Sequence, residues 1–229
     1  MSLLSILLLQ ADTAIKMAAP VAEPEKISLF YLLREGGVLM IPLLICSIVM
    51  VYVFLERFMA IRKASVIDAT FMSRIREQVT IGNLQSAKSL CKNTDSPIAR
   101  IIDKGLSRVG KPIDIIEKSM ENTGKLELYK QEKNVSILST LAGIAPMFGF
   151  LGTIAGMIIL FFNVQHQGFS LNAIAQGIYT KMVTSAVGLI IGLLSYMAYG
   201  YLNAMINKNV NKMEAASVEF LDILQEPAQ

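Results

Sequence analysis

The 229-residue chain has a net charge of +3 and 53% hydrophobic residues, and only 17% of it is Asp, Glu, Lys or Arg, against roughly 25% in soluble domains. From Lys133 to Met213 there is no Asp or Glu, and the only cations are Lys133, Lys181, Lys208 and Lys212; so long a window without acidic groups excludes a soluble globular fold and calls for a bilayer. Enzymatic, metal and cofactor chemistry have no support either: there is no HExxH, no phosphate-binding glycine loop and no His/Cys cluster around the single His166.

In chain order, residues 1–35 form an N-terminal segment. Its apolar run, Leu3 to Leu9, is too short to span and lacks the positive n-region of a secretory signal, so it reads as an interfacial helix. The first transmembrane segment occupies 36–57, with an uncharged core from Val38 to Leu55 followed by Glu56 and Arg57. Pro42 lies one turn in, where a missing N–H costs little. Residues 58–134 form a loop of short amphipathic helices. Ser96-Pro97 reads as an N-cap with proline at the first helical position. Ile98, Ile101, Ile102, Gly105, Leu106 and Val109 then repeat at helical spacing until Gly110. From Pro112 the helical pattern has only Gly124 as a weak point and runs into the second span, 135–162. Unbroken to Phe162, that helix would be roughly 75 Å long at 1.5 Å per residue. A short polar turn, 163–172, holds His166 and makes the second and third spans antiparallel neighbours. The third span, 173–201, has Lys181 as its one charge and continues into a helical tail, 202–229. Cys46 and Cys91 fall in an apolar span and a polar loop, which implies no disulfide.

Orientation follows from the distribution of Lys and Arg. The stretch from Arg57 to Lys133 carries 15 of the 21, and the tail adds Lys208 and Lys212. The loop and the C terminus are therefore expected in the cytoplasm, with the N terminus and the turn at His166 on the outer side. The fold class expected is an all-α integral membrane protein with three transmembrane helices, the second and third extended into the cytoplasm as long helices.

The chemistry-bearing pattern is a stripe of small and hydroxyl residues. In the second span Ala145, Gly149, Gly152, Thr153 and Gly156 fall at offsets 0, 4, 7, 8 and 11, which is one helical face. In the third, Thr180, Thr184, Gly188 and Gly192 are spaced by four, with Ser185 beside them and Ser195 one turn on. One reading is close helix packing through Gly149, Gly152, Gly156, Gly188 and Gly192, with hydroxyls bonding across helices. The other is a polar pathway lined by Thr153, Thr180, Thr184 and Ser185. A proton path needs a group that titrates, and neither span supplies a carboxylate; the acid would have to come from another chain. Lys181 is expected to snorkel toward the outer interface. Pro146 removes one helical N–H and frees a carbonyl a turn earlier.

At the level of motifs, IAPMFGFLGTIAGMIILF (Ile144 to Phe161) resembles the second-span signature of the ExbB/TolQ/MotA proton-channel family. GIYTKMVTSAVGL (Gly177 to Leu189) resembles the third-span signature, and LMIPLLICS followed by LERF fits the first. The resemblance covers nearly the whole chain from Gly36 on, and three spans favour the ExbB/TolQ branch. It implies a homo-oligomeric helical bundle, typically a pentamer, in the lipid of a bacterial inner membrane. The pore would hold the single transmembrane helices of two ExbD- or TolR-like subunits, each bearing an intramembrane Asp. A TonB- or TolA-like protein would carry the work to the outer membrane, with no nucleic acid involved. By position, the threonine of the family's GT pair is Thr153 and the third-span threonine falls at Ser185. The third-span glutamate of many members aligns with Thr180, followed here by Lys181, and Leu194 stands where many have proline. The function implied is that of an ExbB-like stator energising TonB-dependent transport. A TolQ-like stator for envelope integrity or a gliding or secretion motor is a close alternative, and a non-conducting scaffold is one of a different class.

Overall fold

The computed structural model describes residues 38–225 apart from 66, 69 and 169. The segment expected as an interfacial helix lies outside these residues. The described residues form seven helices and no strand: α1 (Met40–Ser65), α2 (Phe71–Thr80), α3 (Leu84–Asn93), α4 (Pro97–Leu106), α5 (Ile113–Glu132), α6 (Val135–Gln167) and α7 (Leu171–Gln225). Three helical stretches are long and apolar enough to cross a membrane: α1, the α5–α6 run and α7. At 1.5 Å per residue the 55 residues of α7 extend about 80 Å. It is the spine of the fold: α1, α2, α4 and α5 all contact it, and α6 packs against it most extensively.

Local chemistry sets the breaks. Ser96 accepts a hydrogen bond from the Ala99 amide at 3.1 Å, with Pro97 at the first helical position. Gly110, at φ +91°, turns the chain before Pro112 and α5. The sequence pattern led from α5 into the second span without interruption except at Gly124. The structure places the break instead at Lys133–Asn134, where Lys133 is extended and Asn134 adopts φ +63°, ψ −6°. Asparagine tolerates this left-handed conformation better than other non-glycine residues. Gly124 stays helical, with room for a Cβ 3.7 Å from Ile101. The expected polar turn is also shorter: α6 continues through His166, whose Nδ1 lies 2.8 Å from the Phe162 carbonyl, and α7 starts at Leu171.

Two apolar clusters hold the chain together. At the basic end, α2 to α5 close over the last turns of α7 around Ile75, Ile101, Ile102, Met120 and Phe220. Fully burying each such side chain is worth about 1.5–3 kcal/mol. Gly105 makes this closure possible, because a Cβ there would stand 2.6 Å from the Phe220 ring and 2.7 Å from the Met120 sulfur. Cys91 is buried in this cluster, and that burial, with the nearby Asp103 carboxylate adding to it, pushes its thiol up to about 12. The second cluster runs along the spans. Leu43, Val53 and Ile61 of α1 meet Leu138, Leu141 and Ala145 of α6 and Ile191, Leu202 and Ile206 of α7. Outside these contacts the three long helices expose Ile48, Tyr52, Phe150, Ile158, Leu193 and Tyr196, as lipid- or protein-facing surfaces do.

Candidate functional site: the α6–α7 seam

The two small-residue stripes face each other. A Cβ on Gly188 would lie 2.7 Å from the Ala145 carbonyl oxygen and 3.0 Å from the Cα of Gly149. A Cβ on Gly149 would lie 3.1 Å from the Ser185 carbonyl oxygen. At Gly192 it would meet the Pro146 ring at 2.5 Å and the Ala142 carbonyl oxygen at 3.0 Å. Ala142 is the residue four before Pro146, so its carbonyl is the one the proline leaves without a helical N–H. That freed carbonyl faces Gly192, where a Cα–H can approach it. The glycines thus bring two backbones to a separation no larger residue permits.

The hydroxyls divide between two sides of this seam. Phe148 and Val187 pack against the cluster that α1 shares with α6 and α7. At about 100° per residue, Thr153 stands about 140° around α6 from Phe148, and Ser185 about 160° around α7 from Val187. Both point away from α1, and both are half-buried. Thr180 and Thr184 stand only about 20° and about 60° from Val187, on the α1 side. Thr184 is fully buried, its methyl 2.9 Å from where a Gly152 Cβ would be, and Thr180 is 8% exposed. The four residues grouped as one pathway from the sequence therefore form two pairs. Thr153 and Ser185 lie on the open, α1-averted side, and Thr180 and Thr184 are enclosed within the chain. Thr153 donates to the Phe150 carbonyl at 2.7 Å and Thr180 to the Gln176 carbonyl at 2.9 Å. Ser195 is fully buried and donates to the Ile191 carbonyl at 2.8 Å. Each of these hydroxyls satisfies its proton within its own helix and keeps oxygen lone pairs for another group.

Lys181 lies on the same side as Ser185, one turn away. A Cβ at Gly156 would collide with the Cγ, Cδ and Cε of Lys181, so the lysine stem runs across that glycine. Among the described residues no group of His, Cys, Asp and Glu could hold a metal ion; the seam offers hydroxyls, carbonyls and one ammonium.

A second polar constellation was not singled out from the sequence. At the basic end of the spans Arg57, Glu127, Gln131 and Asn209 are all buried. Asn209 donates to the Gln131 side chain at 2.9 Å and to the Ile61 carbonyl at 3.3 Å, joining α7, α5 and α1. Glu127 accepts from Arg100 at 2.7 Å and Lys130 at 2.6 Å, and Arg100 also reaches Asp95 at 2.9 Å. Burial pushes the Glu127 carboxyl up, but the two cations outweigh it and hold it below the usual carboxylate range. Arg57 contacts Glu56 and the Lys130 carbonyl, while its Nε and the Gln131 Nε2 are buried without a partner among the described residues. The only sequence signal for this belt is Gln131 and Asn209 standing where helical spacing calls for apolar residues.

Comparison with known proteins agrees with this architecture. Residues 93–215, more than half of the chain, match the MotA/TolQ/ExbB proton channel family. A biopolymer transport protein ExbB homologue of Methanothermobacter thermautotrophicus is 24% identical over 79% of this chain, which spans 65% of that protein's length. The biopolymer transport protein exbB1 of Vibrio cholerae is 23% identical over 82% of this chain and 84% of its own. The Tol-Pal system protein TolQ of Haemophilus influenzae is 29% identical over 35% of this chain and 36% of its own. With three apolar helices, a glycine-built α6–α7 seam and this match, the chain is a membrane protein belonging to the MotA/TolQ/ExbB proton channel family.

Proposed function

We propose that this chain is an ExbB-like stator subunit of a proton-driven motor in a bacterial inner membrane, and that the motor energises TonB-dependent outer-membrane transport. It carries out no enzymatic reaction. Several copies, five by the family resemblance, would surround the single transmembrane helices of two ExbD- or TolR-like subunits. The observation that carries this reading is the α1-averted side of the seam. Thr153 and Ser185 stand half-open there, in a span pair with no carboxylate of its own. Hydroxyl oxygens in that position can solvate a carboxylate brought by another chain as it gains and loses a proton. Burial of such an acid raises its pKa toward the working range. Each charge crossing 100 mV then yields about 2.3 kcal/mol to drive the inner helices.

In this arrangement the 58–134 loop and the C-terminal helix lie in the cytoplasm and the N terminus on the periplasmic side, as the concentration of Lys and Arg favours. A TonB-like protein would transmit the work. The relative named TolQ keeps open a stator role in envelope integrity; the process that fails on deletion of the gene separates the two. Native mass spectrometry of the complex, extracted gently from its own host, tests the reading. Several copies of this chain enclosing a single-span subunit with an intramembrane Asp are expected. A homo-oligomer with no such subunit at native expression would replace it with a non-conducting scaffold.

A further inference from the structure

Lys181 is the one charge between Lys133 and Lys208, and its stem lies within the α6–α7 seam. It lies ten residues into α7, about 15 Å from the helix start. Its stem is laid across Gly156 in the seam rather than out among lipid chains. The stem occupies the space that a Cβ at position 156 would take. A cation within a membrane span is expensive unless it is paired. Among the described residues it has no hydrogen bond or ion pair, and from Lys133 to Met213 the sequence has no acid to offer. A carboxylate on another chain would supply the counter-charge. An anionic lipid headgroup belongs at the membrane surface, whereas this ammonium shares the α1-averted side with Thr153 and Ser185, within one turn of each.

We propose that Lys181 is the cationic seat for a carboxylate on the transmembrane helix of the partner subunit. This rests on the function proposed above and adds to it a residue that fixes where the partner's acid rests. With the carboxylate ionised, the Lys181 ammonium and the two hydroxyls hold it beside the seam. When the carboxylate takes up a proton, the attraction is removed and the inner helix is released; when the proton leaves to water, the pair reforms on the same or a neighbouring copy.

A hydrophobic carbodiimide applied to the intact complex in native membranes reads this contact directly. It activates the carboxylate, the Lys181 amine displaces the urea, and an amide is left joining the two chains. The expected result is a cross-linked peptide containing Lys181 and an Asp or Glu of the single-span subunit, absent from Lys181→Arg. Recovery of that subunit with tagged Lys181→Met should fall roughly tenfold or more, the scale of losing one poorly screened ion pair, while Lys181→Arg retains it. Carbodiimide adducts on the partner's acid without any link to Lys181, together with full partner recovery by Lys181→Met, would overturn the proposal. If Thr153→Val abolishes proton flux while Lys181→Met conducts normally, the pairing falls and the motor stands. If both variants leave flux intact, or no acidic single-span subunit is recovered with the unaltered chain, the motor reading falls and the pairing with it.

Discussion

Replacing Gly188 by alanine adds one methyl group where the structure has no space for it. The new Cβ would stand 2.7 Å from the Ala145 carbonyl oxygen and 3.0 Å from the Cα of Gly149. Ordinary carbon contacts begin near 3.5 Å, and both obstacles are backbone, so no rotamer change relieves them. The helices must part by several tenths of an ångström along the seam, which also loosens Gly149 against Ser185. Overpacking of this kind costs about 1–3 kcal/mol. For a chain of this size that lowers the thermal midpoint by about 2–4 °C per kcal/mol. Gly200→Ala is the matched control on the same helix, because its Cβ meets nothing within 4 Å; it should be neutral or gain up to about 1 kcal/mol from helix propensity. Thermal unfolding of the three purified proteins, followed by circular dichroism in one detergent, gives the comparison. Gly188→Ala melting at or above Gly200→Ala would refute the close approach of α6 and α7.

At Asn134, the left-handed residue between α5 and α6, Asn134→Gly should be close to neutral, whereas Asn134→Val should cost roughly 1–2 kcal/mol; equal melting of the two in the same assay would show that φ +63° is not required. Glu127 predicts a particular acid sensitivity. Its folded carboxyl is held below its ordinary value, so its stabilisation is complete above the ordinary glutamate range, about 4.3, and is lost as pH falls through the lower folded value. The unaltered protein should therefore lose stability below that range more steeply than Glu127→Gln; parallel melting-against-pH curves would contradict the ion-pair assignment.

The spans were legible because hydropathy over about 20 residues records the solvent directly. The Ser96-Pro97 start and the Gly110–Pro112 break were legible because caps and turn residues act over three or four positions. Gly124 misled for a physical reason: glycine permits a helix break without requiring one, and here it stays helical beside Ile101. The actual break at Asn134 occurs in a residue whose left-handed conformation is tolerated rather than signalled. Four-residue spacing placed Thr180 and Thr184 on one line with Gly188 and Gly192, but spacing on one helix does not say which neighbour covers that line. Only the position of α1 separates them from Thr153 and Ser185. The Asn209–Gln131 bond joins residues 78 apart in sequence, beyond the reach of any local pattern. Lys181 was visible as an isolated charge; its passage across Gly156 became apparent only when the two helices were paired.

The central claim is that the α1-averted side of the seam, and not the whole hydroxyl stripe, carries protons. The most direct measurement is potential-driven proton uptake into vesicles containing the complex purified with its partner, comparing Thr153→Val with Thr184→Val at equal assembly. Thr153 is half-open on that side, whereas Thr184 is fully enclosed against Gly152. Loss of uptake in Thr153→Val with uptake retained in Thr184→Val is the expected result. Normal uptake in Thr153→Val would contradict the account.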